Sequence, residues 1–126
     1  MAEDKNIRIL LIDDELPVVE ALQKFLENLG YHIDIQTSSS SALSALETDT
    51  CTYNLVISDL TMPEIDGITL AERIHSMKPD LPILLMTGYG NQITENRLVQ
   101  AGIKKVIAKP FRLREITDSI RSLLME

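Results

Sequence analysis

Five short apolar segments with β-strand character alternate along the chain with five longer segments whose apolar residues recur at helical spacing. This alternation predicts a βα repeat, in which parallel strands form one sheet and the connecting helices cover both of its faces. The first, third and fourth strands are almost continuously apolar, as in strands buried on both faces, whereas the second alternates and is predicted to lie at an edge. The predicted strands are residues 7–12, 31–36, 54–58, 82–86 and 104–108.

Apolar residues at helical spacing fill the stretches between the strands. In the first stretch, Pro17 suits a first helical turn and Gly30 suits a helix end, and Val18 and Leu22 are predicted to face inward. The fourth stretch is the least periodic, which fits either a weakly packed surface helix or a face that moves or meets a partner. The predicted helices cover residues 17–29, 38–48, 67–78, 92–101 and 113–124.

The length of 126 residues is typical of one domain with a single hydrophobic core, so we expect one domain over residues 1–126. Apolar residues make up 44% of the chain, but no apolar run exceeds four residues, far below the roughly 18 that a membrane span needs. The first residues lack the pattern of a secretory signal, and Cys51 has no second cysteine for a disulfide. These features predict a cytoplasmic location.

The net charge of −7 argues against nonspecific binding to nucleic acid, which depends on Lys and Arg side chains that neutralise phosphates. Residues 1–66 contain 13 acidic and three basic residues, a balance of −10, whereas residues 67–126 contain six acidic and nine basic residues, a balance of +3. The acidic charge is therefore concentrated around the first three predicted strands.

Polar residues follow four of the five predicted strands. Asp13 and Asp14 come after the first strand, Asp59 after the third, Thr87 after the fourth and Lys109 after the fifth. In an open α/β sheet, ligands bind beyond the carboxyl ends of the strands at a topological switch point. In the doubly wound order 2-1-3-4-5, the first and third strands are neighbours, so the three aspartates are expected to converge.

Each of these residues, taken alone, also fits an ordinary structural role. Asp13 or Asp14 suits a helix cap, Asp59 a turn, Thr87 a cap or loop, and Lys109 a solvated surface position. Four independent coincidences would be needed to place all of them at strand ends. Their joint placement therefore favours a functional site.

Clustered carboxylates repel one another unless a cation or a proton lies between them, and an all-oxygen acidic site suits a hard divalent ion such as Mg²⁺. Such an ion normally takes one or two carboxylates, several waters and phosphate oxygens. A lysine opposite adds a second positive charge on the same phosphoryl group. An aspartate can itself be the nucleophile that forms an aspartyl phosphate, and phosphoryl transfer requires mainly positioning and charge neutralisation.

In their order and spacing, these residues resemble the receiver domain of two-component response regulators, and the similarity extends over about residues 7–124. The resemblance implies a flavodoxin-like fold with five parallel strands in the order 2-1-3-4-5 and helices on both faces. Any single element is a weak signal, whereas the ordered set is specific. The motifs that carry it are Asp13-Asp14, Asp59, Met62-Pro63, Asp66-Gly67, Thr87 and Lys109-Pro110-Phe111.

The resemblance implies that Asp59 accepts a phosphoryl group from a phosphohistidine of a partner histidine kinase or histidine phosphotransfer protein. It also implies that Asp14 and Asp59 ligate Mg²⁺ together with the backbone carbonyl of Thr61, while Asp13 acts mainly through ordered water. A domain of this kind is not an enzyme in the ordinary sense, because it catalyses only its own phosphotransfer and dephosphorylation.

Lys109 is implied to pair with the phosphoryl oxygens, and Thr87 to move toward them. In the family this movement remodels the face formed by the fourth helix, the fifth strand and the fifth helix. The resemblance leaves open a homodimer through this face and implies no direct contact of the domain with nucleic acid or membrane. Val106 departs from the family, which often has an aromatic three residues before the lysine, and Tyr89 is interpreted as shielding the site.

Three other kinds of protein fit part of this pattern. A phosphatase of the haloacid-dehalogenase type would have a second aspartate where Thr61 stands, and a nucleotide-binding domain would have a glycine-rich loop where Asp13-Asp14-Glu15 stands. A receiver-like interaction module that works without phosphorylation usually lacks the acceptor or the lysine, and both are present. The motifs after the fourth and fifth strands look most like receivers attached to hybrid sensor kinases, so either a single-domain regulator or a piece of a larger protein is expected.

Overall fold

A computed structural model describes residues 7–48, 53–62, 64–88 and 93–125. Within these ranges, five strands alternate with five helices, as the sequence predicts. None of the helices in the described part of the chain is long and apolar enough to cross a membrane. The strands are β1 (Arg8–Ile12), β2 (His32–Gln36), β3 (Leu55–Asp59), β4 (Ile83–Gly88) and β5 (Ile103–Lys109). The helices are α1 (Leu16–Asn28), α2 (Ser39–Glu47), α3 (Gly67–Met77), α4 (Glu95–Gln100) and α5 (Leu113–Leu124).

The strands form one parallel sheet in the order β2-β1-β3-β4-β5, which confirms the predicted flavodoxin-like, doubly wound arrangement and the edge position of β2. The register pairs Ile12 of β1 with Ser58 of β3, and Asp59 of β3 with Met86 of β4. The carboxyl ends of the central strands therefore lie side by side at one edge of the sheet.

Alternate residues of each central strand enter one of two apolar clusters on opposite faces of the sheet. In β1, Leu10 and Ile12 pack with α2 and α3, whereas Ile9 and Leu11 pack with α1 and α5. All four side chains are completely buried. Burial of each such side chain stabilises the fold by about 1.5–3 kcal/mol, so the continuous apolar runs tie the strands to both helical layers.

The end of α1 follows the sequence prediction closely. Gly30 has a φ of 104°, a left-handed conformation that favours glycine. Its backbone N–H donates to the carbonyl of Glu27, and that of Tyr31 donates to the carbonyl of Leu26. These two bonds satisfy carbonyls at the helix end and direct the chain into β2.

The inner face of α1 differs from the prediction in the first turn of the helix. Val18 is 49% exposed, whereas its neighbour Val19 is only 1% exposed. Val19 stands three and seven residues before Leu22 and Leu26, so it shares their side of the helix, while Val18 is rotated away by one residue. The prediction of an inward Val18 was wrong because it counted a position of the first turn that lies outside this stripe.

The bounds of α4 and β5 also differ from the predicted ranges, which were residues 92–101 and 104–108. α4 begins at Glu95, after the hydroxyl of Thr94 accepts a hydrogen bond from the backbone N–H of Arg97, whereas the prediction began it at residue 92, which lies outside the described residues. The register between β4 and β5 shifts after the pair Ile83 and Ile103, because Lys104 is an extra residue on β5. This irregularity is a bulge of the kind found at sheet edges.

The neighbouring valines of α1 provide a matched test of its packing. Val19→Ala is expected to lower the free energy of unfolding by about 2 kcal/mol, because it removes two buried methyl groups from the apolar cluster beneath α1 and α5. Val18→Ala is expected to change it by less than about 0.5 kcal/mol, because this side chain is half exposed. Urea denaturation measures both values, and equal losses for the two variants would contradict the described orientation of α1.

Candidate functional site

Three of the residues that the sequence places after strands belong to the strands themselves. Asp59 is the last residue of β3, Lys109 is the last residue of β5, and Thr87 is the penultimate residue of β4. Asp13 directly follows β1, and its backbone N–H donates to the carbonyl of Gln36 at 3.2 Å, which extends the pairing with β2. The backbone positions of these residues are therefore set by the sheet rather than by loops.

The three aspartates converge at this edge of the sheet. One carboxylate oxygen from each of Asp13, Asp14 and Asp59 lies within 4.8 Å of the other two. Asp13 and Asp59 are only 1% and 6% exposed, whereas Asp14 is exposed. The cluster is thus buried on the side of the sheet and open to solvent on the side of Asp14.

Lys109 reaches this acidic cluster from the far end of the sequence. Its Nζ lies 3.0 Å from Oδ1 of Asp59 and 3.3 Å from Oδ2 of Asp13, to which it donates a hydrogen bond. A third carboxylate oxygen, Oε1 of the exposed Glu15, lies 3.7 Å away. The lysine therefore forms ion pairs with both buried carboxylates.

Burial and neighbouring charges change the acidity of both members of the central pair. Burial raises the pKa of Asp59, the hydrogen bond from Lys109 lowers it, and the charges of Asp13 and Asp14 raise it, so that the pKa lies above its ordinary value of 3.8. Burial alone lowers the pKa of Lys109, but the hydrogen bond and charge of Asp59 and the charge of Asp13 outweigh burial, so that the pKa is raised. The lysine stays charged at neutral pH.

The chain after Asp59 turns tightly, and Gly67 makes this turn possible. The backbone N–H of Leu60 donates to the carbonyl of Met86 at 2.8 Å, and that of Gly67 donates to the carbonyl of Leu60 at 2.7 Å. A Cβ at position 67 would overlap the carbonyl oxygen of Asp59 and lie 2.9 Å from Cα of Leu60. The absence of a side chain at Gly67 thus lets α3 begin against the end of β3.

The other predicted site residues are placed less closely. Thr87 is buried and pairs in register with Ala108, one residue before Lys109. Thr61 is exposed and lies two residues after Asp59. Val106 lies on β5 with its side chain 37% exposed. Tyr89, which the sequence interpretation placed over the site, lies outside the described residues.

Two glutamates near the site were missed as functional candidates. Glu15 was not among the predicted site residues, although its carboxylate oxygen lies 3.7 Å from Nζ of Lys109. Glu64 was not among the predicted site residues either, although its carboxylate accepts hydrogen bonds from Ser40, which lies 24 residues earlier in the sequence. The sequence does indicate Glu15, since it continues the acidic run of Asp13 and Asp14. It does not indicate the contact between Glu64 and Ser40, because no helical or strand spacing relates these two residues.

The comparison with known proteins identifies the family. The family profile described as "Response regulator receiver domain" matches residues 9–121. The chain belongs to this family. Receiver domains act in two-component signalling rather than as classical enzymes, and they interact with histidine kinases. The resemblance inferred from the strand-end motifs is confirmed.

Receiver proteins of different lengths are among the relatives of this chain. The response regulator receiver protein CpdR of Brucella abortus is 35% identical over 118 residues, which are 94% of this chain and 97% of that protein. The C4-dicarboxylate transport transcriptional regulatory protein DctD of Rhizobium meliloti is 36% identical over 113 residues, which are 90% of this chain but only 24% of that protein. The chain also spans 52% of the transcriptional regulatory protein QseB of Haemophilus influenzae.

Solved receiver structures have the same fold. The CheY-like receiver domain protein from Methanospirillum hungatei superimposes with a TM-score of 0.87 at 27% identity, covering 94% of both chains. The response regulator TrrA from Thermotoga maritima, determined in complex with Mg²⁺-BeF, superimposes with a TM-score of 0.84 at 31% identity, covering 94% of this receiver and 99% of that chain.

Receiver domains bind Mg²⁺ at an acidic cluster, and the donors of this receiver suit such an ion. Carboxylate oxygens from Asp13, Asp14 and Asp59 provide hard ligands at close range, and the exposed Asp14 leaves a path from solvent. Lys109 offsets part of the acidic charge and leaves the rest for a cation to neutralise.

Asp59→Asn is expected to raise the free energy of unfolding of the metal-free receiver at pH 7, because folding raises the pKa of Asp59 and its charge therefore opposes folding. The substitution removes a buried charge that two other aspartates repel, while Lys109 keeps its ion pair with Asp13. Because folding raises the pKa of Asp59, the charge opposes folding fully above the folded pKa and ceases to do so below the ordinary value of 3.8. The gain should therefore shrink as the pH falls from 7 to 4.

Urea denaturation in the presence of a chelator measures this difference. Asp80→Asn, at an exposed turn position, serves as the control and should leave stability unchanged. A gain that is independent of pH would show that the Asp59 charge is not its source.

Gly67→Ala is expected to destabilise the receiver by roughly 2 kcal/mol, because its Cβ overlaps the backbone at Asp59 and Leu60. Helix propensity alone predicts the opposite sign, since alanine is favoured over glycine within helices by about 1 kcal/mol. Thermal or urea denaturation decides the sign, and a stabilised variant would contradict the close approach of α3 to β3.

Proposed function

We propose that this receiver accepts a phosphoryl group on Asp59 from a phosphohistidine of a histidine kinase or a histidine phosphotransfer protein. The observation that carries the proposal is the 3.0 Å approach of Lys109 Nζ to Oδ1 of Asp59, inside a cluster that also contains Asp13 and Asp14. A buried carboxylate at a strand end, held 3.0 Å from an ammonium, is oriented for attack on phosphorus.

In the transfer, an oxygen of the Asp59 carboxylate attacks phosphorus while the bond between phosphorus and the imidazole nitrogen breaks. The imidazole leaves with the electron pair of that bond, as a neutral ring if its other nitrogen carries a proton. Asp59 becomes a mixed anhydride, so its negative charge is replaced by a phosphoryl group with two. Lys109, already 3.0 Å from Asp59, is placed to pair with the new oxygens.

Asp13, Asp14, Asp59 and the backbone carbonyl of Thr61 would hold Mg²⁺ in this proposal. When bound, the ion supplies positive charge that stabilises the phosphoryl oxygens during transfer. The chain's own contribution is to hold the carboxylates on adjacent strand ends, so that little reorganisation is needed when the phosphodonor arrives.

The response to phosphorylation would pass through Thr87 and Lys109 to the surface formed by α4, β5 and α5. The added charge and acceptor oxygens attract the hydroxyl of Thr87 and the ammonium of Lys109. The loose packing of α4 supports a shift in this region: the structure describes all six of its residues, and none of them is buried. Val99 of α4 is 73% exposed, which makes it available to a partner or to a second copy of the receiver.

Intact-mass measurement after incubation with a small acyl phosphate and Mg²⁺ tests the proposal. The wild-type chain should gain one phosphoryl group, because Asp59 is the nucleophile and the acidic cluster holds the ion. Asp59→Asn should abolish the gain, and a chelator should reduce it to background. Lys109→Ala should slow the gain by at least about tenfold, since it removes the ammonium that neutralises the phosphoryl oxygens.

Asp80→Asn is the matched control, because it changes an exposed aspartate away from the sheet edge and should be phosphorylated as fast as the wild type. A folded wild-type chain that gains no mass would contradict the proposal and favour a receiver-like interaction module that works without phosphorylation. Phosphorylation that persists in Asp59→Asn would assign the acceptor to another residue.

A further inference from the structure

Glu64 connects two elements that are distant in sequence. It lies in the β3–α3 connection, of which the structure describes residues 60–62 and 64–66, and its side chain reaches the first turn of α2. Its Oε1 accepts hydrogen bonds from the backbone N–H of Ser40 at 2.9 Å and from the Ser40 hydroxyl at 2.9 Å, and its Oε2 lies 3.0 Å from the same hydroxyl. An exposed side chain with this many contacts to one residue is held in a single orientation.

The backbone N–H of Ser40 is one of the donors that a helix leaves unpaired in its first turn. The hydroxyl of Ser38, the N-cap residue, accepts from the N–H of Ser41, and Glu64 accepts from that of Ser40. The hydrogen bonds of Ser40 lower the pKa of Glu64, first through its backbone N–H and then through its hydroxyl. The carboxylate is therefore charged at neutral pH, which also suits its place at the positive end of the helix dipole.

A second bond joins the same two segments. Ser39, which is buried, donates its hydroxyl proton to the backbone carbonyl of Ile65 at 2.8 Å. Consecutive residues of the β3–α3 connection thus bind consecutive residues of α2. Such a pair of contacts fixes the orientation of the connection as well as its distance from α2.

The connection held in this way contains the backbone next to the phosphoacceptor. Its two ends are joined by the hydrogen bond from Gly67 N–H to the Leu60 carbonyl, and Leu60 is bonded in turn to β4. Thr61, whose carbonyl is a proposed metal ligand, lies between Leu60, which is bonded to β4, and Glu64, which is bonded to α2. Glu64 and Ile65, in the second half of the connection, are held by their hydrogen bonds to α2.

We propose that Glu64 is a positioning residue for phosphoryl uptake, because its hydrogen bonds to Ser40 hold the β3–α3 connection and thereby the backbone that follows Asp59. This inference rests on the proposed function of Asp59. It assigns to α2, which contributes no residue to the acidic cluster in the described part of the chain, a supporting role in the site. Glu64 acts through the connection and does not touch the reacting atoms.

Amide hydrogen exchange, followed residue by residue by NMR, tests the placement without requiring phosphorylation. Glu64→Ala is expected to accelerate exchange of the Gly67 amide about tenfold relative to the Lys78 amide, which is bonded to the carbonyl of Ile74 at the far end of α3. It is also expected to slow phosphorylation by a small acyl phosphate about tenfold, the lower end of the losses seen when outer-shell partners of a metal site are removed.

Two further variants grade the effect. Glu64→Gln keeps the shape and one acceptor oxygen but loses the charge, so it should restore part of the exchange protection and part of the rate. Ser40→Ala removes the hydroxyl and keeps the backbone donor, so its effect should be smaller than that of Glu64→Ala. Glu72→Ala, at an exposed glutamate of α3, is the matched control and should behave as wild type in both measurements.

Faster exchange in Glu64→Ala that is confined to α2 amides such as that of Ala42, with Gly67 and the phosphorylation rate unchanged, would overturn the inference and reduce Glu64 to a cap of α2. Failure of the proposed function appears differently, as a wild-type chain that takes up no phosphoryl group. In that case the Gly67 amide still decides whether Glu64 holds the connection.

Discussion

The ammonium of Lys109 makes the crowding of negative charge at the carboxyl edge of the sheet tolerable. Asp13 and Asp59 are buried side by side, and each would be costly to ionise there without a counter-charge. The lysine that pairs with both stands 96 residues after Asp13, so the site exists only when β5 has joined the sheet. One ammonium against three carboxylates leaves a surplus of negative charge, and this surplus is what makes the edge receptive to a divalent cation.

The sheet is well suited to hold side chains whose charges repel one another. Its central strands are anchored on both faces, because alternate residues of β1 enter separate apolar clusters beneath different helices. The ends of these strands are therefore held more rigidly than the connections that follow them. The carboxylates of the proposed site lie at the end of β3 or directly after β1, whereas α4, which the proposal expects to respond to phosphorylation, is lightly packed.

Much of this arrangement could be predicted from sequence because it depends on local patterns. Alternating apolar runs and helical periodicity predicted the strands and helices, and Gly30 was a correct helix end. The strand order, and with it the convergence of Asp13, Asp14 and Asp59, came from the doubly wound arrangement that the resemblance implies. The error at Val18 arose in the first turn of α1, where one residue of uncertainty in the helix phase exchanges an exposed side chain for a buried one. The contact of Glu64 with Ser40 was beyond prediction, since it depends on the three-dimensional approach of α2 to the β3–α3 connection and on no spacing within either segment.

The extra residue at Lys104 in β5 has a consequence for how this chain can vary. Beyond the bulge, the register continues without interruption from the pair of Leu84 with Lys105 to the pair of Gly88 with Lys109. The bulge therefore determines on which face of the sheet the side chain of Lys109 lies. A shift by one residue would turn that side chain to the opposite face. An insertion or deletion within β5 would therefore separate Lys109 from Asp59, whereas a change of side chain at the exposed positions 104–106 leaves the register intact. The number of residues in β5 thus determines whether Lys109 reaches the acidic cluster.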